Sequence, residues 1–389
     1  MIRFLSRARN SELTGRALLR LDFNTEDDWR LRTAVPTVKF LEKHSRAVII
    51  LSHRGRPAFS ASRRIRRGKP LGFDKKLSLK KDALKLGRFI GRRVTFIGDF
   101  NFKKIKKTIG LAPKGSVFLL ENLRFLKGEE ENSPVLAKNL ASLGDFYVND
   151  AFAVSHRENA SVSAIARRLP SFAGFGLERE IKTLGQIMAR PRRPLVLVVG
   201  GSKAADKLGV MDYFKNKADW FLLGGGPANT FLYLRGVNVG NSVRDRNPAE
   251  LKKLKKLTYQ KNIVVPADYK RKKDKILDIG PKTVRIFEEK IKKARTIIWS
   301  GPMGLAEKKK FARGNLAVAQ VIAKNRRAFS VTGGGETVMF LKKYKLDKKF
   351  SFISTGGTAM LDYLAGKKLP GVAALDSKPR RFRPGAINK

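Results

Sequence analysis

The 389-residue chain predicts an α/β protein built on parallel sheets, and three observations carry that prediction. Short apolar runs recur along the chain, each ending in glycine or a polar cluster. Between most of them lie stretches of helical spacing, such as TAVPTVKFLEKH and SPVLAKNLASLG. The runs are near-continuous in Val, Ile, Leu and Phe rather than alternating, the pattern of strands covered on both faces. Eleven such runs exceed what one ordinary open sheet of this kind holds, so two α/β domains are expected.

In chain order, the first domain, residues 1–177, takes the runs ALLRLDFN, AVIILSHRG, RVTFIGD, SVFLLEN and FYVNDAF. The helical stretch LEREIKTLGQIM follows, and Pro191 in MARPRRP stops it. Glu178 to Ala189 is therefore read as a linking helix, with residues 178–190 as the connector. The second domain, residues 191–360, takes PLVLVVGGSK, WFLLGGG, NIVVPAD, TIIWSGP, AFSVTGGGE and FSFISTGG. Residues 361–389 form a C-terminal segment expected to return to the first domain. Its tail, DSKPRRFRPGAINK, has few apolar residues and is expected to be extended or loose.

Composition narrows the class. Hydrophobic residues make up 42% of the chain, enough for sizeable cores, and no apolar run is long enough to span a membrane. The N-terminus, MIRFLSRARN, is basic but lacks the apolar core of a secretory signal. Zero cysteines exclude disulfides, thiolate metal sites and a Cys nucleophile. A cytoplasmic protein without membrane association is expected. The charge is the outlier, with 83 Lys and Arg against 33 Asp and Glu, a net +50. It is spread over SRRIRRGKP, DKKLSLKKD, KKLKK, KRKKDK, EKKKF and PRRFRP. Three readings stay open: nonspecific nucleic-acid binding, attraction of small anionic substrates, and a merely solvated surface.

Open α/β sheets bind ligands beyond the carboxyl ends of their strands, so the residues after each run carry the chemistry. In the N-terminal half these are Asp22-Phe23-Asn24, His53-Arg54-Gly55-Arg56, Glu121-Asn122-Leu123-Arg124 and Asn149-Asp150, with His156 and Arg157 in the next loop. Arginine's planar fork suits bidentate capture of carboxylate or phosphate. Such a convergence suits a small, multiply anionic ligand, with Asp22 and Asn24 accepting from a hydroxyl. In so basic a chain the alternative for any one arginine is a solvated surface residue, and for a lone histidine a structural role. The three histidines make no recognisable metal set.

In the C-terminal half, the strand ends are Gly200-Gly201-Ser202-Lys203, Gly224-Gly225-Gly226, Ser300-Gly301-Pro302, Gly333-Gly334-Gly335-Glu336 and Gly356-Gly357. Glycines permit close backbone approach, and a following helix points free N–H groups at an anion. Lys203 and Lys207 are spaced i, i+4, so on a helical turn both would face one phosphate chain. Glu307 and Glu336 are available to a ribose hydroxyl or Mg²⁺. Neither a GxxxxGK[ST] loop nor a GxGxxG fingerprint occurs. One glycine triplet alone could be a tight turn; several in one half point to a nucleotide.

With these motifs in view, the chain resembles the phosphoglycerate kinase family from about Leu18 to Leu375. LDFN, DDWRLRTAVPTV, SHRGRP, SLKKDALKLGRFIGRRV, LLENLRF, GEEENSPVLAKNLASLGDFYVNDAF and SHRENAS look like its N-terminal domain. VLVVGGSKAADKLGV, LLGGGPANTFL, LDIGPKT, TIIWSGPMG, VTGGGET, FISTGG and LPGVAAL look like its C-terminal one. The resemblance implies two Rossmann-like three-layer domains joined by a helix and hinge, closing around a cleft in a monomer. It implies reversible, Mg²⁺-dependent phosphoryl transfer between 1,3-bisphosphoglycerate with ADP and 3-phosphoglycerate with ATP. Carried over by motif, the phosphoglycerate side is Asp22, Phe23, Asn24, Arg30, His53, Arg54, Gly55, Arg56, Arg124 and Arg157. The nucleotide side is Gly201, Ser202, Lys203, Lys207, Gly226, Pro302, Glu307, Gly334, Gly335, Glu336 and Thr337, with Glu336 matching the Mg²⁺-associated aspartate. Arg30, Lys203 and Lys207 are the implied catalytic groups. The alternative is a catalytically impaired member that binds nucleic acid through its charge.

The pattern is not followed everywhere. Glu336 is one methylene longer than the family's aspartate, and Ser300 stands where WNGP has Asn. Arg54 replaces an apolar residue, Ala153-Val154-Ser155 replaces Gly-Thr-Ala, and Thr358 replaces a third glycine. The hairpin between Asn24 and Asp27 is nearly absent, and Lys308-Lys309-Lys310 replaces a more apolar or acidic run.

Overall fold

A computed structural model describes residues 1–25, 28–57 and 73–376. The shortened hairpin at 26–27, the SRRIRRGKP run and the tail beyond Asp376 lie outside the described residues. The chain divides into two compact units, one from Met1 to Lys182 together with the segment that begins at Lys368, the other from Thr183 to Lys367.

The first unit holds six parallel strands: β1 (Arg16–Arg20), β2 (Ala47–Leu51), β3 (Val94–Ile97), β4 (Ser116–Leu120), β5 (Phe146–Asn149) and β6 (Ser171–Ala173), in the order β3-β4-β2-β1-β5-β6. Strand β2 is buried throughout, which is why its sequence, AVIIL, contains no polar position. Helices α1 (Trp29–His44), α2 (Lys80–Ile90), α3 (Phe102–Leu111) and α4 (Pro134–Ala141) connect the strands. Their starts obey local chemistry. Asn101 accepts from the Lys104 amide at 3.1 Å ahead of α3, and Ser133 caps α4 in front of Pro134. Helix α5 (Phe175–Ala189) then follows. The segment after Lys368 includes α13 (Pro370–Ala373) and bonds to β5 and its loop. Gly371 N donates to Ser155 O at 2.9 Å, and Asn149 Nδ2 donates to Gly371 O at 3.1 Å.

The second unit holds β7 (Leu195–Val199), β8 (Trp220–Leu223), β9 (Ile263–Val264), β12 (Thr296–Ser300), β13 (Phe329–Gly333) and β14 (Phe352–Ser354), parallel in the order β14-β13-β12-β7-β8-β9. A separate antiparallel hairpin joins β10 (Tyr269–Lys272) to β11 (Lys275–Ile279). Its helices are α6 (Ala205–Phe214), α7 (Gly225–Leu234), α8 (Pro248–Lys255), α9 (Pro281–Lys293), α10 (Arg313–Lys324), α11 (Gly335–Lys343) and α12 (Thr358–Leu364). The core is centred on Trp299, Phe287, Ile297 and Leu341, all buried.

All eleven apolar runs are strands, and the α/β class with parallel sheets holds. Three elements were not foreseen. Strand β6 is only three residues long and offers no run to read. The hairpin was hidden inside KRKKDK, because only Ile276, Asp278 and Ile279 of its residues are buried. It turns at Lys273, which adopts a left-handed φ of 52°. Among the described residues, no helix is long and apolar enough to cross a membrane.

Both sheets reverse their strand order at a central strand, β1 in one and β7 in the other. The carboxyl ends of strands flanking such a reversal leave a crevice, and the candidate residues lie there.

Candidate active site

In the first unit, a cluster of cations gathers around the ends of β1, β2 and β4. Asp22, just past β1, is buried and accepts from Arg30 Nη1 at 2.6 Å through Oδ2 and from the Asn24 amide at 3.0 Å through Oδ1. Burial opposes ionisation of Asp22, but His53 once protonated, then Arg30, the Asn24 amide and Arg20, hold its carboxyl below the usual range. Arg30, in the first turn of α1, also donates from Nη1 to Asn24 O at 3.2 Å, while its Nε is buried without a hydrogen-bond partner. A buried guanidinium donor left without a partner marks a place prepared for an acceptor.

His53 is almost fully buried at the end of β2, with Nδ1 3.2 Å from Arg20 Nη2 and 3.6 Å from Asp22 Oδ1. Burial drives its pKa well below the ordinary value. Asp22 opposes that shift, and Arg20, Arg124 and Arg157 reinforce it. The imidazole is therefore neutral. Since the arginine nitrogens only donate, Nδ1 serves as acceptor and Nε2 carries the proton. Arg124 is buried, donates to Gly55 O at 2.5 Å and pairs with Glu130 at 3.2 Å. Its pKa is lowered first by burial, which Glu130 opposes, and then by Arg157, Arg20 and Arg56. Cations close enough to depress one another are a ready anion site, because a bound polyanion relieves their repulsion. Arg157 Nε also donates to His156 Nε2 at 3.2 Å.

Scaffold residues hold this cluster. Glu121 accepts from Ser78 Oγ, Leu79 N and Asn122 N at 2.7–2.9 Å. Asn122 bonds the Arg54 and Arg124 amides and the Arg54 carbonyl, fixing two loops to each other. Gly55 has φ of 61°, donates to Asn24 Oδ1 at 2.9 Å, and leaves no room for a Cβ against Leu77. Phe23 is a core residue whose amide donates to Ser52 Oγ at 3.1 Å and whose carbonyl accepts from the Thr25 amide at 2.8 Å, so it shapes the loop rather than offering a free group. Arg54, expected on the phosphoglycerate side, has its guanidinium committed to Asp82 at 2.6 Å and Thr25 O at 3.0 Å. That geometry ties the loop to α2.

Arg20 was missed by sequence reading. It is buried on β1, donates from Nε to Ser161 Oγ at 2.9 Å and from Nη1 to Leu21 O, and shares a polar network with buried Glu129. Ser161 Oγ in turn donates to Glu129 Oε1 at 2.6 Å. A charged residue inside an apolar strand, LLRLD, was the available signal: burying an arginine is tolerated only with partners.

In the second unit, two clefts meet along the strand ends. One, of ≈ 740 Å³, is mostly apolar and is lined by Gly226, Pro302, Leu305 and Tyr269, with Glu307 and Glu336 supplying carboxylates. The other, of ≈ 1480 Å³, is more polar and is lined by Lys207, Ser300, Gly334, Gly335, Glu336 and Thr337. Gly201 and Ser202 line both. The glycines divide into two kinds. Gly200, Gly226 and Gly301 exist because backbones touch: a Cβ on Gly226 would lie 1.9 Å from Ser202 O. Gly334 and Gly335 instead face open space, with nothing within 4 Å of a Cβ. Gly334 has φ of 93°, and Gly335 begins α11, whose first amides have no side-chain cap. Thr337 Oγ1 accepts from the Gly301 amide at 3.2 Å, fixing one loop to the next.

Lys207, in the first turn of α6, is half-buried, with Nζ 3.5 Å from where a Gly201 Cβ would be. Burial lowers its pKa, while Asp206, Glu336 and Asp245 oppose the shift. Lys203 is exposed and lies in the loop before α6, so the two lysines do not share a helical turn. The loop is held instead by Asp245, which accepts from the Ala204 amide at 2.7 Å. Asp278, unforeseen, is buried against the apolar cleft and accepts from Gly314 N at 2.9 Å and Ile279 N at 3.0 Å. Among the described residues, no group of three His, Asp or Glu could hold a metal ion unaided. The exposed carboxylate of Glu336, beside the open glycine loop and with Asp206 in the same cleft, fits an ion that arrives with phosphates and keeps several waters.

Known proteins resemble the chain along nearly its whole length. A family model described as "Phosphoglycerate kinase" matches residues 10–367. The chain is 39% identical over 400 residues to the phosphoglycerate kinase of Dictyoglomus turgidum, covering 95% of the chain and 98% of that relative. It is also 39% identical over 404 residues to that of Pseudothermotoga lettingae, covering 96% and 98%. Among solved structures, phosphoglycerate kinase from Coxiella burnetii superposes with a TM-score of 0.80 at 33% identity, over 96% of this chain and 99% of that one.

Proposed function

Because the chain belongs to the phosphoglycerate kinase family, whose members are phosphotransferases, we propose that it transfers a phosphoryl group reversibly between 1,3-bisphosphoglycerate and ADP, Mg²⁺ accompanying the nucleotide. The observation that carries this reading is the division of chemistry: arginines and a neutral histidine around Asp22 in one unit, open glycine loops with Lys207 and Glu336 in the other.

3-Phosphoglycerate binds the first unit. Arg56, Arg124 and Arg157 neutralise its phosphate, while Asp22 and Asn24 accept from its hydroxyl. Arg30 holds the reacting carboxylate through donors that Asp22 does not occupy. The acceptor is already an anion, so no general base is required, and the neutral state of His53 is no obstacle. In the second unit, the apolar cleft takes the nucleoside, with Glu307 on the ribose. The amides at the start of α11, with Lys203 and Lys207, take the phosphates. Glu336 is the residue that would meet the Mg²⁺, which supplies charge neutralisation between the phosphates when bound. Transfer requires the two bound ligands to be brought in line with water excluded, so closure of the units about a hinge belongs to the proposal. Arg30 and Lys203 then stabilise charge on the transferring group.

Coupled turnover of the purified chain tests this. ATP formation should require ADP, 1,3-bisphosphoglycerate and Mg²⁺ together. A folded chain that makes no ATP under those conditions rules the reading out.

A further inference from the structure

The C-terminal unit carries a second charged surface that the cleft chemistry does not use. Helix α8 and the turn after it read PAELKKLKKLTYQK. Leu254 and Leu257 are buried and anchor the helix, which leaves Lys252, Lys253, Lys255 and Lys256 exposed around its outer side. Glu250 is its only acid. Lys253 and Lys256 also line a groove whose floor includes Leu208 and Leu257, and whose one acid, Asp212, is already paired with Lys215 at 3.0 Å. Lysines alone would be an ordinary solvated coat. An aromatic residue at the same place is not part of such a coat.

Tyr259, one turn beyond the lysines, is 73% exposed. Arg235 lies over its ring at 6.0 Å and is locked there, because Nε and Nη2 both donate to Thr258 O, at 3.1 and 2.6 Å. Two residues before Arg235, at the end of α7, Tyr233 is 42% exposed and carries Arg244 at 3.8 Å over its ring. Tyr259, carrying a guanidinium that is fixed to the same turn, thus borders a lysine face, while Tyr233, two residues from Arg235, points away from it. Cations that track a phosphate backbone beside flat rings on which bases stack are the requirements of single-strand recognition.

We infer that this face, formed by α8, the Thr258–Gln260 turn and Arg235 just after α7, binds single-stranded nucleic acid, with the lysines on phosphates and Tyr259 under a base. A duplex keeps its bases stacked and gains nothing from Tyr259. A polyanion without bases, such as inorganic polyphosphate, would use the lysines alone. The inference goes beyond the kinase reading and does not depend on it.

Fluorescence anisotropy of a labelled single-stranded oligouridylate against the full chain, over a range of salt, is the test. Binding should weaken with salt, and Lys252→Glu with Lys253→Glu should reduce the slope of log affinity against log salt by about 1.4, at roughly 0.7 per phosphate contact on a single strand. Tyr259→Ala should weaken oligouridylate binding by about fivefold or more, whereas Tyr259→Phe retains it. Competition by inorganic polyphosphate should be unaffected by Tyr259→Ala, which separates base stacking from charge. Thermal unfolding should be unchanged in all these variants, confirming that they fold. The inference is overturned if wild-type chain does not bind the oligonucleotide at low salt. It is equally overturned if Tyr259→Ala binds oligouridylate as tightly as wild type, or if it alters polyphosphate and oligonucleotide binding alike.

Discussion

Replacing Gly335 by alanine separates a ligand-driven glycine from a packing-driven one. A Cβ at Gly335 meets nothing within 4 Å, and the residue opens α11, so alanine adds no clash in the free protein. It also restricts the unfolded chain, which stabilises by about 0.4–1 kcal/mol, or roughly 1–4 °C in Tm for a unit of this size. If phosphates approach these amides, the added methyl occupies their space and displaces one charge-assisted hydrogen bond. Such a bond is worth about 1.5–3 kcal/mol, which corresponds to a rise of about 10- to 150-fold in nucleotide KM. Gly226→Ala is the contrast: its Cβ would lie 1.9 Å from Ser202 O, a backbone atom that cannot swing aside, so stability itself falls. Thermal denaturation without ligand, together with steady-state kinetics varying nucleotide and 3-phosphoglycerate separately, reads both effects. Gly335→Ala that keeps or raises Tm yet leaves nucleotide KM at the wild-type value would refute the idea that this glycine makes room for phosphate.

Three further outcomes follow from the same geometry. Glu336→Gln removes an exposed carboxylate with little structural role, so Tm should hold while the Mg²⁺ concentration for half-maximal rate rises; a Mg²⁺ titration checks it. Arg30→Ala strips Asp22 of its 2.6 Å partner and removes charge at the reacting carboxylate. It should lower kcat by about 100-fold or more and also reduce stability, measured by urea unfolding, because a buried carboxylate loses its ion pair. Asp278 has its carboxyl pushed up to about 6 by burial, only partly offset by the amides of Gly314 and Ile279 and by Lys270. The folded state therefore holds its proton more tightly than the unfolded state, and stability from this group falls as pH rises from about 4 through about 6. In Asp278→Asn that loss disappears, so denaturation across pH should show the variant gaining on wild type over this window and no further above it.

The fold was legible wherever burial forces one residue class. Strand β7, LVLVV, is buried at every position and could only be read one way. The hairpin was not legible, because its lysines face solvent and its few apolar positions do not repeat. Candidate site residues were visible where strand ends broke an apolar run: Asp22, His53, Arg124 and Glu336 all follow this rule. Arg20 escaped because it sits inside a strand, where only the partners Ser161 and Glu129, more than a hundred residues away, explain it. The glycine loops showed the limit most plainly. GGG and GGGE look alike in sequence, yet Gly226 is pressed against backbone while Gly334 and Gly335 face open space. Lys203 and Lys207 illustrate the same point, since i, i+4 spacing has meaning only on a helix and α6 begins after Lys203.

The central claim is that each unit holds one ligand through its own chemistry. Calorimetric titration of Arg124→Ala and Gly335→Ala with 3-phosphoglycerate and with Mg-ADP, taken separately, tests it most directly. Arg124→Ala should lose 3-phosphoglycerate binding and keep Mg-ADP binding, and Gly335→Ala should do the reverse. Loss of Mg-ADP binding in Arg124→Ala, with 3-phosphoglycerate still bound, would contradict the assignment.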